Sequence, residues 1–369
     1  MGAGLACGAR TRLPTLDILR LVAALSVVLF HYLFRGAAGE PAFLETRFPE
    51  IEGAAIYGYL GVNLFFLISG FVIAWSAEGR TWYDFAIARV VRLVPGYFVC
   101  VTLTFLVLAA VASPLFSTSL GQYVANLSFF APVFGHSFMD GVYWSIMLEL
   151  IFYGWITLAL ITGAYTRLKL ELVVGWLALT CVNEFAMESG ALRILFLTEF
   201  APWFASGMLM HHLATRGRST ETLLLLFAAF AIGCATMQVA QDWMAAHYGV
   251  AVPVAGLIAA NVTMFCLMFG ALRFPSLVPP SEFVFAAGAL TYPLYLLHQN
   301  IGYLAIDALA PMVGRWPAAA ATTGVMLIGA FGVWRYAESP MQRALKLLAS
   351  RLVTAFHGAR AHGLAGKAI

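Results

Sequence analysis

Long apolar stretches alternate with short polar gaps along this chain, and each stretch approaches the 20 or so residues that a helix needs to cross a hydrocarbon core. On that rule the sequence predicts spans at 16–34, 57–76, 95–115, 143–163, 170–187, 194–213, 222–240, 252–272, 283–306 and 318–337. Helices are the expected element, because backbone groups facing lipid must pair within their own segment. The gaps differ in charge. Arg80, Arg89, Arg92, Arg167, Lys169, Arg216, Arg218, Arg273, Arg343, Lys346 and Arg351 fall on the side of the N-terminus. Glu40, Glu45, Glu50, Glu52, Asp140, Glu184, Glu188, Asp242 and Asp307 collect on the other. Seventeen of the 21 Lys and Arg residues lie in, or at the mouths of, alternate gaps, the bias that marks a cytoplasmic side. An even number of spans then places both termini in the cytoplasm. Two regions resist a clean boundary: 120–134, which also reads as re-entrant, and the short fifth and sixth spans.

Composition excludes an ordinary soluble protein. The chain is 62% hydrophobic and 11% charged, well outside the soluble average, and a soluble protein with a large core would not alternate its charge this way. No Pro-rich or Ser-rich linker divides the 369 residues, so one membrane-embedded domain over 1–340 is expected, followed by a short basic cytoplasmic tail at 341–369. The fold class is thus all-α and polytopic. Cys7, Cys100, Cys181, Cys234 and Cys266 are odd in number and scattered, which fits neither a disulfide framework nor a metal pattern. Arg10 and Arg12 before an apolar run resemble a signal peptide. The run is span-length, however, and carries Asp17, Arg20 and His31, which favours a retained first helix. The net charge of +3 says little about partners, because the topological bias explains most of its placement, and no nucleic-acid partner is expected.

Ionisable groups inside such spans are costly, which makes each one a functional candidate. In the first span Asp17, Arg20 and His31 share one side. Arg20 and His31 are about 16 Å apart along the axis, so Arg20 sits at the cytoplasmic mouth and His31 in the outer third. Ala24 and Val27 leave a slim apolar track between them. Asp17 either belongs to this track or forms a local ion pair with Arg20. In the second span Gly61 and Gly70 permit close helix packing, and Asn63, about 9 Å from the outer edge, can bind either a substrate or a neighbouring helix. Residues 82–95 combine Trp82, Tyr83 and Phe85 with Arg89 and Arg92, which suits an interfacial basic helix between spans 2 and 3. Arg89 and Arg92, three residues apart, share a face. They either clamp a phosphorylated ligand or follow topology and lipid headgroups.

Glu149 lies about 9 Å inside the fourth span and His298 about 22 Å along the ninth, so both reach the outer half near the depth of His31. A His with a polar orienter can take a proton from an attacking hydroxyl. Each also has a plainer use: Glu149 can cap a neighbouring helix and His298 can hydrogen-bond within the bundle. Glu338 reads best as a structural tie to a nearby Arg. The sequence holds no Ser or Cys nucleophile motif, phosphate-cradling Gly-rich loop or HExxH helix. Direct group transfer assisted by a base is therefore favoured over a covalent enzyme intermediate or metal hydrolysis, and no metal is expected.

Five segments in one order carry a resemblance. They are Leu16-Asp17 with Arg20 and His31; Gly61-Val62, Phe65-Phe66 and Ser69-Gly70-Phe71; Arg89-Val90-Val91-Arg92 with Pro95; Trp144-Ser145, Glu149 and Tyr153; and Tyr292, Tyr295-Leu296 and His298. Together they resemble the integral-membrane acyltransferase-3 family, bacterial enzymes that O-acylate cell-envelope sugars and some small molecules, over about Leu16 to Pro340. The family's usual start has Gly after the Asp and after the Arg, where this chain has Ile18 and Leu21. The resemblance implies ten helices in the bacterial plasma (inner) membrane. It also implies acyl-CoA, by default acetyl-CoA, as a co-substrate from the cytoplasm, with no permanently bound cofactor. His31 then matches the catalytic histidine, and Arg89 and Arg92 the pair that holds the CoA phosphates. Arg20 and Glu149 match further positions tied to activity. Asn63, Trp144, Ser145, Tyr153, Tyr295 and His298 are candidates to hold the acceptor or support these groups.

The implied reaction moves an acyl group to a hydroxyl of an envelope saccharide, lipo-oligosaccharide or similar acceptor. The pantetheine arm would run along Ala24 and Val27 toward His31, and Glu149 would orient His31 or bind the acceptor. A transporter or flippase for a lipid-linked sugar or small anion is the alternative. It shares intramembrane His and Glu, yet the sequence shows no inverted repeat or paired broken helices. A non-catalytic scaffold would leave the buried polar groups without a use.

Overall fold

The computed structural model describes residues 12–39, 41–116 and 118–351. Cys7, Arg10, Glu40 and the tail beyond Arg351 lie outside the described residues. Every regular element among the described residues is helical. Long helices stand at each predicted position: α1 (Pro14–Phe30), α2 (Gly61–Ala77), α3 (Trp82–Val111), α4 (Tyr143–Ile161), α5 (Lys169–Val182), α6 (Ala201–Arg216), α7 (Thr220–Tyr248), α8 (Val254–Arg273), α9 (Glu282–Val313) and α10 (Arg315–Gly332). Among the described residues, eight segments are long and apolar enough to cross a membrane. The other two helices, α6 and α9, differ in kind: α6 has 16 residues, all of its first eleven buried, and α9 carries the polar run Tyr295, His298, Gln299 and Asn300.

Helix starts follow ordinary capping chemistry. Thr81, Ser219 and Ser281 each accept a hydrogen bond from a backbone N–H three residues on, at 3.2 Å, opening α3, α7 and α9. Pro14 sits in the first turn of α1, where its missing N–H costs nothing.

Residues 82–95 do not form a separate interfacial helix. They are the first turns of α3, which continues through Pro95 for 30 residues. Pro95 removes a helical N–H, and side chains from other helices bond to carbonyls in the turn before it. Tyr292 Oη donates to Leu93 O and Gln342 Nε2 to Arg92 O, each at 3.2 Å. The segment 341–351 likewise continues the last helix after a wide turn at Val333–Glu338, where the tail was expected to begin.

The centre of the bundle is set by close backbone approach. A Cβ added at Gly70 would overlap the backbone of Phe204, and one at Gly207 the carbonyl of Leu67. α2 and α6 therefore pack at a distance that only glycine permits on either side. Gly61 does the same against α1, where a Cβ would lie 2.5 Å from Ala23 O and 2.9 Å from Val27 Cγ2. Ala24 and Val27 are consequently closed off, at 0% and 1% exposure, and the apolar track expected beside them does not exist. α9 packs against α1, α3 and α10, which carries its polar run into the middle of the protein.

Candidate active site

A cavity of about 1530 Å³ enters the bundle at its basic end, larger than the roughly 300–1,000 Å³ usual for small-ligand pockets. It runs from an exposed rim at Glu282, Phe283, Arg343 and Lys346 to buried Val62, Ser145 and Tyr295. The walls come from α2, α3, α4, α9 and the end of α10 with the turn after it, and α1 contributes only its first turns, Leu16, Asp17 and Arg20.

Arg20, Arg89 and Arg92 all line this cavity. Their partners differ. Asp17 is buried and accepts from Arg12 Nε at 2.5 Å and Arg20 Nη1 at 3.2 Å, so it forms the local ion pair. Arg92 Nη1 donates to Glu338 Oε1 at 2.7 Å, with its guanidinium 5.2 Å from the Tyr292 ring centroid. Glu338 is thus the tie to an Arg, although its Oε2 is buried without a partner. Arg89 differs again. Its guanidinium lies 5.7 Å from the Phe85 ring and 5.8 Å from the Tyr153 ring, and its buried Nε has no hydrogen-bond partner among the described residues. A buried donor on a permanent cation is costly to leave without a partner.

Deeper in, Glu149 accepts hydrogen bonds from Ser69 Oγ at 3.2 Å and from Tyr153 Oη. Both carboxylate neighbours belong to the cavity wall. At the inner end Ser145 Oγ and Tyr295 Oη share a 2.8 Å hydrogen bond, and the Tyr295 ring meets Phe65 edge-on at 5.8 Å. This pair forms the roof.

His31 lies beyond it. The α1 helix widens there, with Gly36 N–H bonding His31 O at 2.8 Å across five residues, a π-type turn of the kind that recurs at functional sites. His31 Nδ1 is 2.9 Å from Val27 O and 3.0 Å from His298 Nε2. His298 is fully buried, its Nδ1 2.8 Å from Tyr295 O and 3.2 Å from Leu294 O, and its own carbonyl accepts from Tyr32 Oη at 2.7 Å. The Tyr295 ring centroid lies 5.8 Å from that of His298, so α9 links the roof to the histidine pair.

The site residues therefore fall into two groups. Arg20, Arg89, Arg92, Glu149, Ser145, Tyr153 and Tyr295 share the cavity. His31 and His298 form a buried pair above it. Glu149 bonds Ser69 and Tyr153, and the side chain in contact with His31 is that of His298. Asn63 is buried and Trp144 packs on Phe200 at 5.4 Å, and neither lines the cavity. Residues missed by sequence reasoning are Arg12, Ser69, Arg335, Arg343 and Lys346, which also line it. Arg343 and Lys346 stood in the basic run after α10, whose i, i+3 spacing puts them on one face. Arg335 carried no such signal.

Asp140 precedes α4 and is fully buried. It accepts from Asn300 N at 3.0 Å and Val142 N at 3.2 Å. Burial pushes its carboxyl up to about 7. Gly141, next in the chain, lies against the Gln299 amide. Among the described residues no three His, Cys, Asp or Glu side chains converge to hold a metal ion.

Comparison with known families finds one match, to a profile described as an acyltransferase domain, over residues 13–335. No curated protein matches the chain significantly. No solved structure does either.

Proposed function

This chain belongs to the integral-membrane acyltransferase-3 family of acyl-CoA-dependent O-acyltransferases, and from that premise we propose which reaction it performs and how. It moves an acyl group, acetyl by default, from cytosolic acyl-CoA to a hydroxyl of an envelope saccharide, lipo-oligosaccharide or similar acceptor. In this reading all ten long helices span the bacterial plasma membrane, both termini face the cytoplasm, and the basic end of the bundle is the cytoplasmic end.

One observation carries the proposal: a cavity lined by cations, one of them with an unpartnered buried donor, leads inward toward a buried histidine pair. Arg89 and Arg92 hold the CoA phosphates with Arg20 beside them, since guanidinium groups keep their charge and bind phosphate through two parallel donors. The pantetheine arm follows the wall past Glu149 and Tyr153 instead of the packed face of α1. Its thioester reaches the Ser145–Tyr295 roof, which must part for it to meet His31.

His31 takes the proton of the acceptor hydroxyl as the hydroxyl oxygen bonds to the thioester carbonyl carbon. The carbon–sulfur bond then breaks, and the CoA thiolate receives that proton from His31. A positioned base contributes roughly 10²–10⁴-fold to such a step. Glu149, bonded to Ser69 and Tyr153, shapes the donor side of the path.

The test is purified protein with labelled acetyl-CoA and an envelope-glycan extract, following label transfer and free thiol together. Both are expected, and both are expected to vanish in His31→Ala while acetyl-CoA binding persists. Label crossing a proteoliposome without thiol release would favour the flippase.

A further inference from the structure

The hydrogen-bond network around the two histidines leaves only one arrangement of ring protons without a clash of like groups. His298 Nδ1 faces two carbonyls, Tyr295 O at 2.8 Å and Leu294 O at 3.2 Å. Both can only accept, so Nδ1 carries the proton, and neutral His298 presents a bare lone pair at Nε2. That lone pair lies 3.0 Å from His31 Nδ1, which also sits 2.9 Å from the acceptor Val27 O. Two acceptors converge on His31 Nδ1. It must therefore be the protonated nitrogen, and the lone pair of His31 is left on Nε2.

Resting on the reading of His31 as the base, we infer that His298 is a positioning residue for transfer: together with Val27 O it holds the proton of His31 on Nδ1, and so commits Nε2 to accept the proton of the acceptor hydroxyl. When Nε2 takes up that proton, His31 becomes an imidazolium. Its Nδ1–H then donates to a neutral ring nitrogen, a charge-assisted bond stronger than the one in the resting state. The arrangement does for His31 what a carboxylate does in a hydrolase triad, without placing an anion in the membrane interior. α9 supplies the rigidity. Tyr32 Oη holds the His298 carbonyl at 2.7 Å, and Asp140 and Met139 O anchor the next turn through Asn300 at 3.0 and 3.1 Å.

Charged and titratable groups around the pair are few. Arg35, one turn along from His31, stacks over Phe43 and Tyr248 at 4.8 and 5.1 Å. Tyr303 comes within 6.4 Å of the His31 ring, and Asp140 is engaged at Asn300. Among the described residues the acceptors on His31 Nδ1 are Val27 O and His298 Nε2.

The experiment compares full-length His298→Phe, His298→Gln and His298→Asn with wild type and His31→Ala, measuring acetyl-CoA-dependent thiol release against pH. Phe keeps the ring volume without an acceptor. Gln can place its carboxamide oxygen where Nε2 was, and Asn is too short to do so. His298→Phe and His298→Asn are expected to lose roughly 10- to 100-fold in kcat with the KM for acetyl-CoA nearly unchanged. The acid limb of kcat should move to lower pH, because the imidazolium has lost its support. His298→Gln is expected to recover most of the rate and return the limb.

Wild-type kcat and an unmoved limb in the Phe and Asn variants would overturn the inference. So would equal loss in Gln and Asn, which would mark a packing role. If the Phe variant does not fold, the Gln–Asn pair decides alone. Full turnover in His31→Ala would instead overturn the reading of His31 itself, whatever the His298 variants do.

Discussion

Glu338 accepts a 2.7 Å hydrogen bond from Arg92, joining the wide turn after α10 to the third turn of α3 at the rim of the cavity. Its second carboxylate oxygen is buried and unpartnered, so the pair is tight but not saturated. An incoming phosphate must share Arg92 with this carboxylate, while Arg89 has no such competitor. Replacing Glu338 with Gln keeps a hydrogen-bond acceptor and removes the competing charge. Glu338→Gln should therefore lower the KM for acetyl-CoA several-fold, whereas Arg89→Ala should raise it by roughly 10- to 100-fold with little change in kcat. Arg89→Lys should not restore the wild-type value, because a point charge lacks the planar fork. Steady-state kinetics at two ionic strengths checks all three, and a raised KM in Glu338→Gln would count against phosphate binding at Arg92.

The Ser145–Tyr295 roof makes a separate demand. Ser145→Phe adds bulk at the inner end of the cavity, far from the cationic rim. Binding of free CoA, followed by calorimetry, should stay near wild type while transfer is lost. Undiminished transfer would mean that the acyl group never passes this point.

Packing between α2 and α6 should be intolerant of one methyl group. Gly207→Ala would push a Cβ into the Leu67 carbonyl and the Phe71 amide, backbone atoms that cannot swing aside. A loss on the order of 1–3 kcal/mol is expected, as for other overpacked sites, read as a lower melting temperature in detergent. Gly154→Ala is the control, since nothing lies within 4 Å of the added carbon, and that helix should hold or gain stability.

Asp140 should confer a pH dependence on stability. Its carboxyl is raised from an ordinary value of 3.8 to about 7 in the folded protein. Between those values the folded state therefore holds a proton that the unfolded state releases. The contribution is complete below about pH 4 and declines as pH rises through 7. Asp140→Asn should flatten the melting-temperature profile over that window, and an unchanged profile would show that another group sets it.

The alternation of apolar and polar stretches was enough to locate every long helix among the described residues, because the length of a span is written locally. What failed was azimuth. Glu149 and His31 were placed at similar depth by counting residues, yet depth does not say which way a side chain faces, and Glu149 turns to Ser69 and Tyr153. The same limit hid the packing of Ala24 and Val27 against α2, which depends on Gly61 arriving from another helix. Pro95 misled for a different reason. It marks a helix boundary in most sequences, but Tyr292 and Gln342 bond the carbonyls of the preceding turn and α3 runs on. The role of Glu338 was legible because a buried carboxylate needs a cation. That the cation would be Arg92 was not.

The most direct test of the whole account is a cryo-EM structure of the full-length protein with a non-transferable acetyl-CoA analogue in which a methylene replaces the thioester sulfur. The expected density places phosphates against Arg89 and Arg92 and the acyl carbonyl within about 5 Å of the His31 ring, near attack distance for a hydroxyl held by that base, with Ser145 and Tyr295 separated. An analogue whose acyl end stops at Glu149 beneath an intact Ser145–Tyr295 bond, or whose phosphates bind away from both arginines, would contradict it.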